Sequence, residues 1–224
     1  MGSYLLLRDP CVVPLSQVPV GDELPAVASL PDIRQPCVAS GEPLQPLSSL
    51  AALDAYSELG ILSPRTPRLR AGVIDRLVTA DEMLPDGFGL IVLDGWRSLA
   101  AQQRLLDYYG SDVSRNGFVA RIEPEGARPP HTTGGAVDLT LSWEGVALGL
   151  GTDYDSFDET ARLEAFEGGG DGLVRRLRRL LAGVMHAAGM ICYGSEWWHW
   201  SFGDDVWASA AGDVAIYDIW ELEG

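Results

Sequence analysis

The segment GSEWWHW at positions 194–200 sets the organisation of this chain, and its natural partner is HTTGGAVD at positions 131–138. Together the two segments contain two histidines, an aspartate and a glutamate, and neither contains a cysteine. Three nitrogen or oxygen ligands with one open position are typical of catalytic zinc sites, whereas structural zinc sites are usually closed by four ligands, often cysteines. The pattern therefore predicts a catalytic zinc ion held by His131, Asp138 and His199.

The remaining carboxylate, Glu196, precedes His199 by three residues. Residues three apart on a straight strand face opposite sides. Glu196 must therefore lie in the turn that Gly194 and Ser195 predict, with His199 inside the strand that follows. In that position Glu196 is the predicted general base, which acts on the water that the metal activates.

The upstream segment combines a turn with a strand. Apolar and polar residues alternate over residues 137–142, which predicts a half-buried strand with Asp138 on its polar face. The two glycines at 134 and 135 allow the chain to turn back, so that His131 can approach Asp138. The third histidine of the chain, His186, lies in a predicted amphipathic helix, where we expect a structural role.

Regular elements are predicted throughout the C-terminal three quarters of the chain. Apolar periodicity predicts helices over residues 69–84, 99–109 and 173–188. Strands are predicted over residues 89–93, 137–142, 146–150, 213–220 and from just after Glu196 to about residue 202. Helices and strands are intermixed without the regular alternation of a doubly wound sheet. We therefore expect a single-domain α+β fold, in which helices pack on a mainly antiparallel sheet that carries the zinc site.

The N-terminal region differs in composition from the rest. Residues 1–48 contain prolines at positions 10, 14, 19, 25, 31, 36, 43 and 46. Proline lacks the backbone N–H that central strands and helix interiors need. We therefore interpret residues 1–48 as an extended arm that wraps around a catalytic domain of residues 49–224. The arginines at 175, 176, 178 and 179 are interpreted as a solvated helix face.

Net charge and cysteine usage limit the partners and the compartment. A formal charge of −16 and a pI near 4.4 argue against nucleic acid and anionic membrane surfaces as partners. Three cysteines without CxxC spacing indicate neither a disulfide framework nor a thiolate metal site. We see no secretory signal and no apolar run long enough to span a membrane, and therefore expect a cytoplasmic protein that meets small peptides. The sequence does not indicate an oligomeric state.

The two metal-binding motifs also resemble those of a known family. HxxGxAxD at 131–138 followed by ExxH at 196–199 resembles the zinc D-alanyl-D-alanine dipeptidases of the VanX type. These enzymes belong to a wider group that includes D,D-carboxypeptidases and L,D-endopeptidases of cell-wall peptides. The resemblance runs from about residue 89 to about residue 202, which is half of the chain.

Two further motifs are similar to those of the same family. DGWR at 94–97 is similar to the family's D-G-aromatic-Arg, which implies that Arg97 assists at the transition state. GTDYD at 151–155 is similar to G-T-x-aromatic-D, which implies that Asp155 holds the amino group of a dipeptide substrate. The resemblance therefore implies zinc-dependent hydrolysis of a dipeptide amide bond.

One position departs from the family pattern. The dipeptidases carry a serine two residues before the first histidine, where it helps to hold the substrate's terminal carboxylate, but this chain has Pro129 there. Proline offers neither a hydroxyl nor a backbone N–H. The N-terminal region also shows no clear match to the family's tyrosine that assists at the amino end. We therefore expect a D-Ala-D-Ala dipeptidase-like enzyme with an altered substrate preference.

Two alternatives share the predicted metal site. One is a tailoring amide hydrolase of a biosynthetic pathway on the same scaffold, which would differ only in its substrate pocket. The other is a zinc-containing binding module without turnover. The presence of both Glu196 and Arg97 weighs against the binding module, because binding alone needs neither residue.

Overall fold

The computed structural model describes residues 6–29, 36–63, 65–110, 120–122, 126–169 and 172–221. Its strands are β1 (Leu44–Pro46), β2 (Ala51–Ala52), β3 (Arg68–Arg70), β4 (Phe88–Asp94), β5 (Ala136–Trp143), β6 (Val146–Ala147), β7 (Ile191–Cys192) and β8 (His199–Ser201). Its α-helices are α1 (Ala55–Glu58), α2 (Ala71–Glu82), α3 (Leu99–Tyr109), α4 (Pro130–Thr133), α5 (Leu173–Ala187) and α6 (Asp205–Ala211).

The main sheet has the strand order β2-β4-β5-β8-β7, and β6 pairs with the end of β5. β2 runs parallel to β4, whereas the other pairs of this sheet are antiparallel. β1 and β3 form a separate antiparallel pair. The main sheet is thus mixed but mainly antiparallel, and the predicted single-domain α+β fold is confirmed.

The central strand β5 is buried on both faces, so the prediction of a half-buried strand is wrong. Its apolar side chains at 137, 139 and 141 lie in the hydrophobic core, as expected. The chain that follows β6 covers the polar face. Thr140 Oγ1 donates to the carbonyl of Leu148 at 2.6 Å, and Tyr154 Oη donates to Asp138 Oδ2 at 2.7 Å. Thr140 and the Oδ2 atom of Asp138 therefore meet partners inside the protein, as burial requires.

The predicted helices are present with small changes at their ends. α3 spans the residues expected, and the Ser98 hydroxyl caps it by accepting from the N–H of Ala101 at 3.2 Å. α2 and α5 begin or end within about two residues of the prediction. The expected strand over 213–220 is reduced to a single bridge between Ala215 and Cys37.

The interpretation of the arginine run on α5 as a solvated face is wrong for Arg178, which is 1% exposed. Its guanidinium donates to the carbonyls of Leu150 at 2.7 Å and Thr160 at 2.8 Å, and also to that of Arg162. A helical periodicity alone could not reveal this, because the acceptors belong to a loop that is distant in sequence. Arg178 thereby fixes the loop of residues 150–162, in which the carbonyl of Ala161 accepts from the N–H of Trp197.

The N-terminal segment follows the margins of the main sheet. Arg8 bridges to Leu148 beside β6, with hydrogen bonds to the backbone of residues 147 and 149. Ala28 bridges to Tyr193 beside β7, with hydrogen bonds to residues 192 and 194. The backbone N–H groups of Leu6 and Leu7 donate to the two carboxylate oxygens of Asp153, each at 3.0 Å. The division of the chain at residue 48 stays a prediction.

The described part of the chain contains no helix with both the length and the apolar character that a bilayer crossing demands. The polar sequence of residues 112–130, with its prolines and glycines, predicts a loop that enters the site, and most of this range lies outside the described residues.

We predict that Asp153→Ala lowers the free energy of unfolding by about 1–3 kcal/mol, because two backbone donors of the N-terminal segment lose their charged acceptor. Urea denaturation followed by tryptophan fluorescence measures this change. Asp107→Ala, which removes an exposed carboxylate on α3, is the matched control and should shift stability by less than about 0.5 kcal/mol. Equal effects of the two substitutions would contradict the anchoring role of Asp153.

Candidate active site

Three neighbouring strands place polar side chains in one row across the sheet. Asp94 at the end of β4 is paired with Asp138 of β5, and Asp138 is paired with His199 of β8. Directly opposed residues of paired strands share one face of a sheet. His131 completes the group from α4, where Gly134 ends the helix at φ +74° and returns the chain towards β5.

His131, Asp138 and His199 come together as predicted, and all three are buried. Asp138 Oδ1 lies 3.3 Å from His131 Nε2 and 3.1 Å from His199 Nδ1, and the two nitrogens are 3.2 Å apart. Ligand atoms of a tetrahedral zinc ion lie about 3.3–3.6 Å apart, since zinc bonds to nitrogen and oxygen are ~2.0–2.2 Å long. Asp138 Oδ1 is buried and has no hydrogen-bond partner among the described residues. This donor set therefore fits a zinc ion that keeps one further position open.

The second ring nitrogen of each histidine has its own partner. His131 Nδ1 lies 2.8 Å from the carbonyl of Gly95, so a proton on Nδ1 leaves the Nε2 lone pair for a metal. His199 Nε2 lies 3.5 Å from Ser201 Oγ, which donates to Asp204 at 2.8 Å. Burial and the nearby Arg97 charge lower the pKa of His131, which favours the neutral imidazole that binds metals. Burial would raise the pKa of Asp138, but the contacts with His131 and His199 together outweigh burial and hold this pKa well below its usual range.

Glu196 lies in the turn before β8, as predicted, and His199 is the first residue of the strand. The turn is closed by hydrogen bonds from the N–H of Glu196 to Tyr193 and from the N–H of His199 to Glu196. Glu196 Oε2 is 3.8 Å from His199 Nδ1, so its carboxylate lies beside the three candidate ligands without joining them. Burial, together with the charges of Asp138 and Asp155, raises the pKa of Glu196 well above its ordinary value. A carboxyl group with a raised pKa is suited to take up and return a proton.

Arg97 is buried next to the candidate metal ligands. Its Nε lies 2.8 Å from Asp94 Oδ2, and its backbone N–H donates to the carbonyl of His131 at 3.2 Å. Asp94 is also paired with Arg65, which in turn donates to the carbonyl of Trp96 at 2.7 Å. The two ends of the DGWR motif are therefore held by ion pairs, which fix the guanidinium of Arg97 near His131.

Asp155 lies at the end of a loop whose residues are individually anchored. Gly151 has φ +97°, and Thr152 Oγ1 accepts from Trp197 Nε1 at 2.8 Å. Asp155 itself has φ +56°, a left-handed conformation that is uncommon outside glycine. Tyr109 Oη donates to Asp155 Oδ2 at 2.6 Å. Burial raises the pKa of Asp155 to about 7.

Three tyrosines near these carboxylates were missed by reasoning from sequence. Tyr154 contacts Asp138, Tyr109 contacts Asp155, and the ring of Tyr56 lies 5.5 Å from the Arg97 guanidinium. Tyr56 and Tyr109 come from helices distant in sequence, so no local spacing could have indicated them. Tyr154 was visible as the aromatic residue of the GTDYD motif, although its hydroxyl contact was not.

Comparison with known proteins agrees with this geometry. The family model described as D-ala-D-ala dipeptidase, a peptidase family, matches residues 72–216, which is more than half of the chain. The chain belongs to this peptidase family. It is accordingly a peptidase, which weighs against the alternative of a binding module without turnover.

Three relatives carry the same description, D-alanyl-D-alanine dipeptidase. The protein of Synechocystis sp. is 29% identical over an alignment covering 80% of this chain and 89% of the relative. That of Enterococcus faecalis is 25% identical, with 58% of this chain and 70% of the relative covered. That of Enterococcus faecium is 24% identical, with 63% and 76% covered. Dipeptidase-type members of the family are thus similar to this chain over most of its length.

We predict that the purified protein binds one zinc ion per chain and that His131→Ala or His199→Ala abolishes this binding, because each removes one of three ligands. Elemental analysis after dialysis against a weak chelator provides the measurement. His186→Ala is the matched control, since His186 is exposed on α5 and should leave the zinc content unchanged. A wild-type protein that takes up no zinc would refute the predicted metal site.

Proposed function

We propose that this chain is a zinc-dependent dipeptidase that hydrolyses the amide bond of D-Ala-D-Ala or a related dipeptide. The observation that supports this most directly is the triangle of His131, Asp138 and His199 with the carboxylate of Glu196 beside it. The names of the three relatives support the dipeptide as substrate class. A small substrate also agrees with the predicted absence of nucleic-acid and membrane partners and with a cytoplasmic location.

In this proposal, His131, Asp138 and His199 hold the metal through Nε2, Oδ1 and Nδ1. Zinc held by such ligands supplies Lewis-acid chemistry, which polarises a carbonyl and makes water more acidic near neutral pH. With two neutral imidazoles and a single carboxylate as ligands, the site would keep a net positive charge for that purpose.

Glu196 is the proposed general base and general acid. Its carboxylate takes a proton from the attacking water as the new C–O bond forms at the scissile carbonyl. The same proton then passes to the leaving amine nitrogen as the C–N bond breaks, which returns Glu196 to its ionised state. The raised pKa of the buried Glu196 carboxyl group favours its protonated state, in which it holds the proton between the attack of water and the departure of the amine.

Arg97 is proposed to stabilise the oxyanion that develops on the scissile carbonyl. Its guanidinium is buried, and its position is fixed by Asp94. A preorganised cation in a site that excludes water stabilises developing charge more strongly than an exposed one.

Asp155 is proposed to bind the substrate's ammonium group through the carboxylate oxygens that Tyr109 orients. A carboxylate at a fixed distance from the metal would select short substrates with a free amino end. Burial raises the pKa of Asp155 to about 7, so ionisation of this group, and with it ammonium binding, is expected to improve as the pH rises through 7.

We predict that Glu196→Gln keeps its zinc but lowers kcat by ~10²–10⁴-fold, because general-base catalysis is lost while the ligands stay intact. Turnover of dipeptides with D- and L-residues by zinc-loaded protein is the measurement. Glu164→Gln, at an exposed position, is the matched control and should retain full activity. Wild-type turnover by Glu196→Gln would show that the base lies elsewhere.

The position of Pro129 supports an altered preference at the carboxyl end of the substrate. Pro129 is buried and directly precedes α4, and its carbonyl accepts from both the N–H and the hydroxyl of Thr132 at 2.8 and 2.7 Å. Pro130 occupies the first helical position, which suits proline. The two prolines thus begin the short helix that carries His131, and Pro129 has no donor to offer a carboxylate.

We predict that Pro129→Ser raises kcat/KM on D-Ala-D-Ala by about 10- to 150-fold, because a hydrogen bond to a charged group contributes about 1.5–3 kcal/mol. The comparison is made with the wild type and with Pro130→Ser, which introduces the same hydroxyl one residue away. High wild-type efficiency on D-Ala-D-Ala with no gain from the serine would show that other residues already recognise the carboxylate. A gain confined to Pro129→Ser would favour a natural substrate with a modified carboxyl end.

A further inference from the structure

Asp138 presents its two carboxylate oxygens to different partners. Oδ1 lies 3.1 and 3.3 Å from the imidazole nitrogens of His199 and His131. Oδ2 accepts a hydrogen bond of 2.7 Å from the hydroxyl of Tyr154. One oxygen therefore faces the candidate metal position, and the other is occupied by a phenol donor.

The hydroxyl of Tyr154 is held in place by its surroundings. The tyrosine is 6% exposed, and its ring packs against Trp198 at 5.5 Å and Tyr56 at 5.7 Å between centroids. Trp198 immediately precedes His199, and its carbonyl accepts from the N–H of Leu139, the neighbour of Asp138. Tyr154 therefore contacts one candidate ligand, Asp138, and the residue that directly precedes another, His199.

The backbone on both sides of Tyr154 is equally constrained. Asp153 accepts from the N–H groups of Leu6 and Leu7 at 3.0 Å each, and Oδ1 of Asp153 also accepts from the N–H of Tyr154 at 3.0 Å. At Gly151 a Cβ would come within 2.7 Å of the Phe166 ring, so the backbone passes closer to this ring than any residue with a side chain would allow. These contacts fix the point from which the Tyr154 ring projects.

From this geometry we infer that Tyr154 is a positioning residue for the metal, which acts by holding Asp138 so that Oδ1 alone is directed at the ion. The inference rests on the proposed function, in which Asp138 is a zinc ligand. His131 and His199 each have an outer partner in Gly95 and Ser201, and Tyr154 supplies the equivalent partner for Asp138. Outer partners of this kind orient ligands, and their loss typically weakens metal binding by ~10–100-fold.

Removal of the hydroxyl alone separates this role from simple packing. Tyr154→Phe keeps the ring and its aromatic contacts, but leaves Asp138 Oδ2 without its donor. The carboxylate could then rotate or offer both oxygens, so that the ligand set is no longer preorganised. A purely structural role of Tyr154 would leave the metal affinity of the folded variant unchanged.

The test measures zinc affinity by competition with a chromophoric chelator, for the wild type and for Tyr154→Phe. We expect a ~10–100-fold weaker zinc affinity in the variant and a changed visible spectrum of the cobalt-substituted protein. Tyr109→Phe is the matched control, because it removes a hydroxyl that donates to Asp155 and should alter zinc affinity by less than about twofold. The melting temperature of each metal-free protein shows whether the variants are folded.

The outcomes distinguish this inference from the proposed function. A wild type that binds zinc tightly, together with a folded Tyr154→Phe of equal affinity and equal cobalt spectrum, overturns the role of Tyr154 and leaves the zinc dipeptidase intact. A wild type without zinc affinity overturns both. If Tyr154→Phe is poorly folded, the cobalt spectrum is measured for Tyr154→Trp instead, which keeps an aromatic ring but places no hydroxyl at Asp138 Oδ2. The inference predicts a spectrum that differs from that of the wild type, and an unchanged spectrum overturns it.

Discussion

The antiparallel pairing of β5 with β8 is the constraint on which the rest of the site depends. Its register places Asp138 opposite His199, and the pairing of β4 with β5 adds Asp94 to the same row. A shift of one residue would move every side chain of a strand to the other face of the sheet. Burial of both faces of β5 makes such a shift costly, because the aliphatic residues of the core face would change places with Asp138 and Thr140. The hydrophobic core thus fixes the geometry of the polar group.

Much of the site was predictable because its residues lie in short segments with informative local spacing. The turn at Glu196, the strand at His199 and the glycines after His131 all follow from local backbone preferences. Contacts between distant segments were not predictable in this way. The burial of Arg178 depends on loop carbonyls, and the contact of Tyr109 with Asp155 depends on how α3 packs. Neither contact leaves a periodic signal in the sequence.

The site also concentrates negative charge in a buried volume. Asp94, Asp138, Asp155 and Glu196 lie close enough for Asp138 and Asp155 both to raise the pKa of Glu196. Arg97 opposes this effect, and ion pairs of Asp94 with Arg97 and Arg65 offset part of the charge. A buried excess of carboxylates favours a cation at the point where Asp138 Oδ1 faces two imidazoles. The electrostatics and the ligand geometry therefore both favour a bound cation at this point.

The path of the N-terminal segment bears on how the folded chain avoids unwanted association. An uncovered strand offers backbone N–H and carbonyl groups that can pair with a strand of another molecule. Here the backbone of Ala28 forms hydrogen bonds with such groups beside β7, and the backbone of Arg8 does so beside β6. Proline-rich sequence suits this task, because a covering segment with few free N–H groups is itself a poor template for further pairing. A protease that removed this segment would expose the backbone groups beside β6 and β7 and would also take Leu7, Val13 and Val18 out of the hydrophobic core, so the cut chain would be prone to aggregate.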